Sequence, residues 1–188
     1  ENTRQEDIDV LKSETKFYKL ANYMVNKEVC PFFLRSIPRL TTETGRATVK
    51  SKQLLNLMGL SNSTPIDAHI LTTETYDASR VKPLFDYLSA NVLSDDEVDV
   101  MIFQFAYAFS CMNKIGWRHN DLHFDNVLAL SMPLQTRHKR LFEFSTKLKF
   151  LIPYTQVDIR IFDFDLSVKV EAPMEGSKKM PCLSAAIR

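Results

Sequence analysis

Residues 119–126 read His119-Asn120-Asp121-Leu122-His123-Phe124-Asp125-Asn126, and residues 161–165 read Ile161-Phe162-Asp163-Phe164-Asp165. The first stretch sets an acid two residues after a histidine and an amide five residues after that acid. The second sets an acid at the end of the alternating run Val157-Asp158-Ile159-Arg160-Ile161. One carboxylate can then take a proton from an attacking hydroxyl, while the amide and the other carboxylate hold a hard cation against phosphate oxygens. Phosphoryl transfer uses that division of labour, because its catalysis is mostly positioning and charge neutralisation.

The pattern His119-x-Asp121-Leu122-x-x-x-Asn126, followed by Asp163-Phe164, resembles the catalytic loop and metal motif of the protein-kinase-like superfamily. The resemblance implies an α+β fold: part of a small lobe, with its C-helix, strands and hinge, and the catalytic core of a helical large lobe. Asp121 would be the general base and His119 a support beneath the loop. Asn126 and Asp163 would bind Mg²⁺ and bridge it to ATP, with Asp165 as a further ligand. His123 stands where protein kinases commonly carry a lysine, so it offers positive charge only when protonated.

Upstream of the loop, Ser94 and Glu97 form a capping-box signature, and acids fill the first turn after Ser94. The helix they open runs through Val98, Met101, Ile102, Phe105, Ala108, Phe109 and Met112. Apolar residues lie nearly all round it, so burial on most sides is expected. The run is too short to span a bilayer.

Nearer the start, 7–27 has helical spacing, with Glu14 among Lys12, Lys16 and Lys19. In the resemblance this is the C-helix, and Glu14 grips the lysine that orients the phosphates. Cys30-Pro31-Phe32-Phe33-Leu34 reads as a short strand or buried turn. Residues 68–73 read as a strand entering the hinge, where Thr73 would back the pocket and the backbone at Glu74 to Tyr76 would pair with an adenine edge. Val81, Leu84, Phe85 and Leu88 fit a short helix. After the loop, Val127-Leu128-Ala129-Leu130 reads as a strand. Arg137-His138-Lys139-Arg140 reads as a solvated turn, and Phe142-Glu143-Phe144, Lys147–Phe150 and Val168–Val170 alternate as strands do.

The resemblance divides the chain at the hinge. Residues 1–76 form a partial small lobe with an insertion at 41–66. Residues 77–188 form a partial large lobe, with catalytic loop 119–126, an insertion at 131–156 and the metal motif 163–165. Several features depart from the family. Only Gly45, Gly59, Gly116 and Gly176 occur, so there is no Gly-x-Gly-x-x-Gly. Only thirteen residues precede Glu14, with no convincing ATP lysine among them, and Asp165 replaces the glycine of Asp-Phe-Gly. The expectation is therefore the middle of a longer protein, inactive by itself. The insertions and Cys30-Pro31 resemble divergent serine/threonine kinases of large DNA viruses.

The resulting expectation is an ATP- and Mg²⁺-dependent phosphotransferase acting on a protein or small-molecule hydroxyl. One alternative is a pseudokinase, or a structural protein keeping the fold. Another, from His123, is a small-molecule kinase of the aminoglycoside or choline type. Two weaker rivals are a metal hydrolase using His119, Asp121, His123 and Asp125, with the histidines at the i,i+4 spacing that suits zinc, and a haloacid-dehalogenase-like phosphatase, whose nucleophile motif the run Asp163-Phe164-Asp165-Leu166-Ser167 resembles.

Composition sets the outer bounds. The chain has 188 residues, 45% hydrophobic and 25% charged, with a net charge of +1. Those are the proportions of a soluble globular protein, with no bulk attraction to nucleic acid or membrane. Cys30, Cys111 and Cys182 are odd in number and far apart, so neither a zinc knuckle nor a disulfide framework is indicated. An intracellular, cytoplasmic setting follows from that reading, and the viral resemblance implies a virion or infected host cell.

Overall fold

The computed structural model describes residues 2–37, 47–49, 66–68, 71, 73–132, 139–145 and 147–170. Mixed helices and small antiparallel sheets make it α+β. The elements are α1 (Asn2–Asn26), β1 (Ala47–Val49), β2 (Ile66–Ala68), β3 (Val81–Pro83), α2 (Leu84–Ala90), α3 (Asp95–Lys114) and β4 (Trp117–Arg118), then a 3₁₀ turn (Phe124–Asn126). β5 (Val127–Ser131), β6 (Lys139–Glu143), β7 (Lys149–Pro153), β8 (Val157–Ile161) and β9 (Val168–Lys169) follow. The expected helix at 54–60 and tail at 171–188 lie outside the described residues. Among the described residues, no helix is long and apolar enough to cross a membrane.

α1 buries Phe17, Tyr18, Ala21 and Met24 at helical spacing and leaves Lys16, Lys19 and Tyr23 exposed. It ends in a Schellman pattern: Val29 N–H donates to the Met24 carbonyl and Glu28 N–H to that of Val25. Glu28, at φ 56°, stands where glycine is usual. Phe17 then meets Phe33, Trp117 and Phe164, with the Phe164 ring centroid 4.1 Å away. Burying each such ring contributes roughly 1.5–3 kcal/mol.

The main sheet has the order β3-β5-β8, antiparallel throughout. Val81 therefore belongs to a strand, not to the short helix expected there, and the helix begins at Leu84. The outer edge of β8 is closed without a full neighbouring strand. Gln104 of α3 donates to the Val157 carbonyl at 3.2 Å and accepts the Ile159 N–H at 2.8 Å. Farther along, Leu34 N–H donates to the Ile161 carbonyl and Ile161 N–H to that of Phe32. Side-chain amide and turn together satisfy the buried strand edge.

α3 has the capping box, with reciprocal bonds between Ser94 and Glu97. It is less buried than its composition suggests. Val98, Ile102 and Phe109 remain 40%, 60% and 38% exposed. Its spacing sends Met101, Gln104, Ala108 and Cys111 inward, and no described element covers the opposite stripe.

β6 and β7 pair from Lys139↔Pro153 to Glu143↔Lys149. Their Phe142 packs on Phe32, Phe103 and Tyr107. Arg140 is not in a solvated turn: it sits in β6 and forks onto the buried carboxylate of Asp158. The sequence does not reveal this because the partner lies 18 residues away on another strand.

Candidate functional site

Register brings the two motifs together. β5 pairs with β8 from Val127↔Ile161 to Ser131↔Val157. One step beyond the ladder, Phe162 N–H donates to the Asn126 carbonyl at 3.1 Å. Asn126 and Asp163, 37 positions apart in sequence, thus sit at the same end of one strand pair. The intervening 131–156 leaves and returns at the other end, so its length does not disturb the site.

The loop before β5 is set by its two ends. Gly116, at φ 73°, ends α3, and a Cβ there would lie 3.2 Å from the Val170 carbonyl oxygen. β4 pairs with β9, and Val170 N–H closes onto the Gly116 carbonyl at 2.6 Å. Asn120 takes φ 65° and donates Nδ2–H to the Leu166 carbonyl at 3.1 Å. The segment carrying Asp163 is therefore strapped to the segment carrying Asp121.

His119 is 4% exposed. Its Nε2 is 3.0 Å from the Phe162 carbonyl, and its ring lies 5.1 Å from that of Phe164. Burial pushes its pKa below the usual value, opposed by the Phe162 carbonyl. A neutral ring with Nε2–H donating to that carbonyl satisfies both facts. Nδ1 is then the one buried side-chain nitrogen or oxygen without a partner among the described residues.

Asp121 and Asn126 are in direct contact. Asn126 Nδ2 donates to the Asp121 carbonyl at 2.9 Å and to its Oδ2 at 3.3 Å. The amide is thereby turned so that Oδ1 is the oxygen left over. Asn126 is 5% exposed, whereas the Asp121 side chain is 41% exposed. His123 stands outside them, its Nε2 3.8 Å from Asp121 Oδ2 and its Nδ1 3.6 Å from Asp125 Oδ2.

Asp163 takes φ 62°, a left-handed conformation that costs a non-glycine residue on the order of 1 kcal/mol. Phe164 anchors it: that side chain is fully buried between Phe17, Tyr18, Phe33 and His119. Burial raises the Asp163 pKa, with Asp165 and Asp121 adding to the shift and His119 opposing it. Asp165 accepts the Leu166 N–H at 2.6 Å.

α1 adds a fourth acid. Burial, then Asp163 and Asp165, raise the Glu14 carboxyl to about 7. Tyr18, one turn on, hydrogen-bonds the Asp163 backbone. Among the described residues, no lysine or arginine forms an ion pair with Glu14, Asp121, Asp163 or Asp165. The cluster is acidic and short of cations.

Thr73, Glu74 and Tyr76 form a separate group. Thr73 bridges to Ser36, and the Tyr76 hydroxyl donates to Glu74 Oε1 at 2.8 Å. Glu74 also takes two bonds from Arg35, one from its N–H and one from its Nε. Sequence reasoning missed Arg35, Arg160, Gln104 and Tyr18 as members of these networks. Their residue types carry no motif, and their partners come from distant segments.

Among the described residues, no three His, Cys, Asp or Glu side chains are arranged around a single point as a metal cage. Compared with known proteins, the chain matches no protein family, no curated protein and no solved structure.

Proposed function

We propose that the chain carries the catalytic centre of a protein-kinase-like phosphotransferase, using ATP and Mg²⁺ and acting on a hydroxyl. One observation carries the reading: Asp121, Asn126 and Asp163 sit at one end of the β5–β8 pair, with Asn126 hydrogen-bonded to Asp121 and the charge of Asp121 felt at Asp163. The donor set suits a hard cation. It offers carboxylate and amide oxygens, excess negative charge and, among the described residues, no lysine or arginine in an ion pair with it. A magnesium ion there would draw its other ligands from water and phosphate oxygens, and when bound it would neutralise charge on the transferring phosphate.

Asp121 would accept the proton of the attacking hydroxyl. The new bond joins that oxygen to the γ-phosphorus, the bond from phosphorus to the β–γ bridging oxygen breaks, and ADP leaves. Asn126 and Asp163 would hold the metal, and Asp165 would support Asp163. His119 orients the loop through the Phe162 carbonyl and does not transfer protons. His123, beside Asp121, would supply charge near the transferred group when protonated. A serine/threonine protein acceptor follows from the loop pattern, and His123 keeps a small-molecule acceptor as the alternative.

A second reading, a pseudokinase or structural protein with this fold, is favoured by Glu14. It faces Asp163 and Asp165 rather than a lysine among the described residues. Thermal shift with ATP, with and without Mg²⁺, separates the two. In the active reading Asp163→Ala abolishes the Mg²⁺-dependent shift, and Asp121→Ala keeps the shift but lowers turnover at least a hundredfold. A full shift in the Asp163 variant removes the metal assignment. Binding without turnover in the intact protein selects the inactive reading.

A further inference from the structure

α3 and the β6–β7 hairpin enclose a half-open cavity of about 300 Å³, and none of the acids at 14, 121, 163 and 165 lines it. Phe103, Tyr107 and Ser110 follow one another along one face of α3, with Ala106 beside them. Phe144, Leu148 and Phe150 of the hairpin form the facing wall. Phe103 meets Phe150 edge to face at 5.2 Å, and Tyr107 meets Phe144 at 6.3 Å. The hairpin turn is closed by the Phe144 N–H, which donates to the Leu148 carbonyl at 2.9 Å, and Leu148 remains 45% exposed. A concave, mostly apolar surface of this volume is the size of a small-ligand site.

The two ends of the cavity differ. Aromatic carbon fills the Phe103–Phe150 end. Polar groups gather toward the other. Lys114 follows Ser110 on the same helix face, holds Nζ 3.4 Å from the Phe144 ring centroid and donates to the Phe144 carbonyl at 2.8 Å. Lys114 is half-buried, burial lowers its pKa, and among the described residues no carboxylate pairs with it. An ammonium has three donors, so two are left over. The hydroxyls of Tyr107 and Ser110 make no hydrogen bond among the described residues, although Tyr107 is only 4% exposed. Neither hydroxyl is sealed from accessible space, and the space that both residues line is this cavity. Glu143, whose charge reaches Tyr107, is already paired with Lys149.

We propose that this cavity binds a small amphiphilic monocarboxylate, with an unbranched apolar chain among Phe103, Tyr107, Phe144 and Phe150 and its carboxylate at the Ser110–Lys114 end. From Phe103 to Ser110 the helix rises about 10 Å, which suits a medium-length alkyl chain. One ammonium and two hydroxyls match a monoanion with two oxygens. A phosphate monoester would bring nearly two negative charges to a single cation. The site goes beyond the phosphotransferase reading and does not rest on it.

The test is calorimetric titration of the full chain with octanoate, octan-1-ol and acetate, which present chain and head together, the chain without the charge, and the head without the chain. Octanoate should bind about tenfold or more tightly than either of the others. Lys114→Met keeps the apolar stem and removes the charge. It should weaken octanoate about tenfold, the loss of roughly one charge-assisted hydrogen bond, and leave octan-1-ol unchanged. Ala106→Trp fills the cavity from an exposed helix position and should abolish binding of both octanoate and octan-1-ol. Because that position is exposed, the variant keeps the test decisive where Lys114→Met fails to fold. Equal octanoate affinity in the wild type and Ala106→Trp puts the ligand elsewhere and overturns the proposal. Octanoate binding that is no tighter than that of octan-1-ol, or that is indifferent to Lys114→Met, overturns the carboxylate assignment. Wild-type protein that does not bind octanoate overturns the proposal outright. If Ala106→Trp then also splits a dimer in sedimentation, the surface belongs to a second copy of the chain.

Discussion

Asp158 and Asp163 are five residues apart on one strand and its exit, and the fold treats them in opposite ways. Asp158 is 1% exposed, held by a fork from Arg140, approached by Arg160 and touched by Gln104 at 3.5 Å. Asp163 takes a left-handed backbone and has Asp165, Asp121 and Glu14 for charged neighbours, with a neutral His119 behind it. A carboxylate buried with its cations has its charge satisfied by the fold. A half-buried carboxylate set among other acids carries a charge that the fold does not offset. The first arrangement is structural. The second fits the cation site and the phosphotransferase reading proposed above.

The largest test of this contrast is Asp158→Ala. It leaves two arginines facing a buried, unpaired position and should destabilise the protein by about 3 kcal/mol in urea unfolding. Asp163→Asn should not destabilise the metal-free protein at all, which would already separate the two sites.

Next comes pH. The Glu14 carboxyl is raised from 4.5 to about 7 by burial and by Asp163 and Asp165. The native state therefore binds a proton more tightly than the unfolded chain. Its stabilising contribution is complete below the unfolded value and is lost as pH rises through the folded one. Metal-free stability should fall by about 1–2 kcal/mol between those two values, the figure being reduced by solvent screening. Glu14→Gln should flatten that slope. A slope that survives the substitution would mean that Glu14 does not sense the acids at 163 and 165.

The smallest effect is Asp163→Asn itself. Asparagine tolerates the left-handed backbone and removes one charge from the cluster, so metal-free stability should rise by about 0.5 kcal/mol. A loss of stability would show that Asp163 has a cationic partner in the fold, and the contrast would fail.

Much of the frame was legible locally. The alternation of Val157–Ile161 marks β8, and Ser94 with Glu97 marks the start of α3, because strand period and capping chemistry act over a few residues. The spacing of His119, Asp121 and Asn126 singles out the loop for the same reason. Illegible were the features that depend on a distant partner. Arg140 looked like solvated charge until Asp158 met it. Val81 looked helical until β5 paired with it. Ile102 and Phe109 looked buried, yet the core contacts only the other side of α3. Gln104, a polar residue on an apolar helix, gave no sign that it would complete the edge of β8.

By itself the sequence determined the local pieces: the helical stripe of α1, the capped start of α3, the strands around the loop, and the short-range geometry that lets Asn126 reach back to Asp121. The tertiary structure alone decided that Asp163 returns beside Asn126 across 37 residues, that Glu14 joins the acids, and that Asp158 receives arginines while, among the described residues, Asp163 receives none. The reason is range. Backbone propensity and capping act over one or two turns, whereas charge environment depends on which distant segments the strand register and the aromatic core bring into contact.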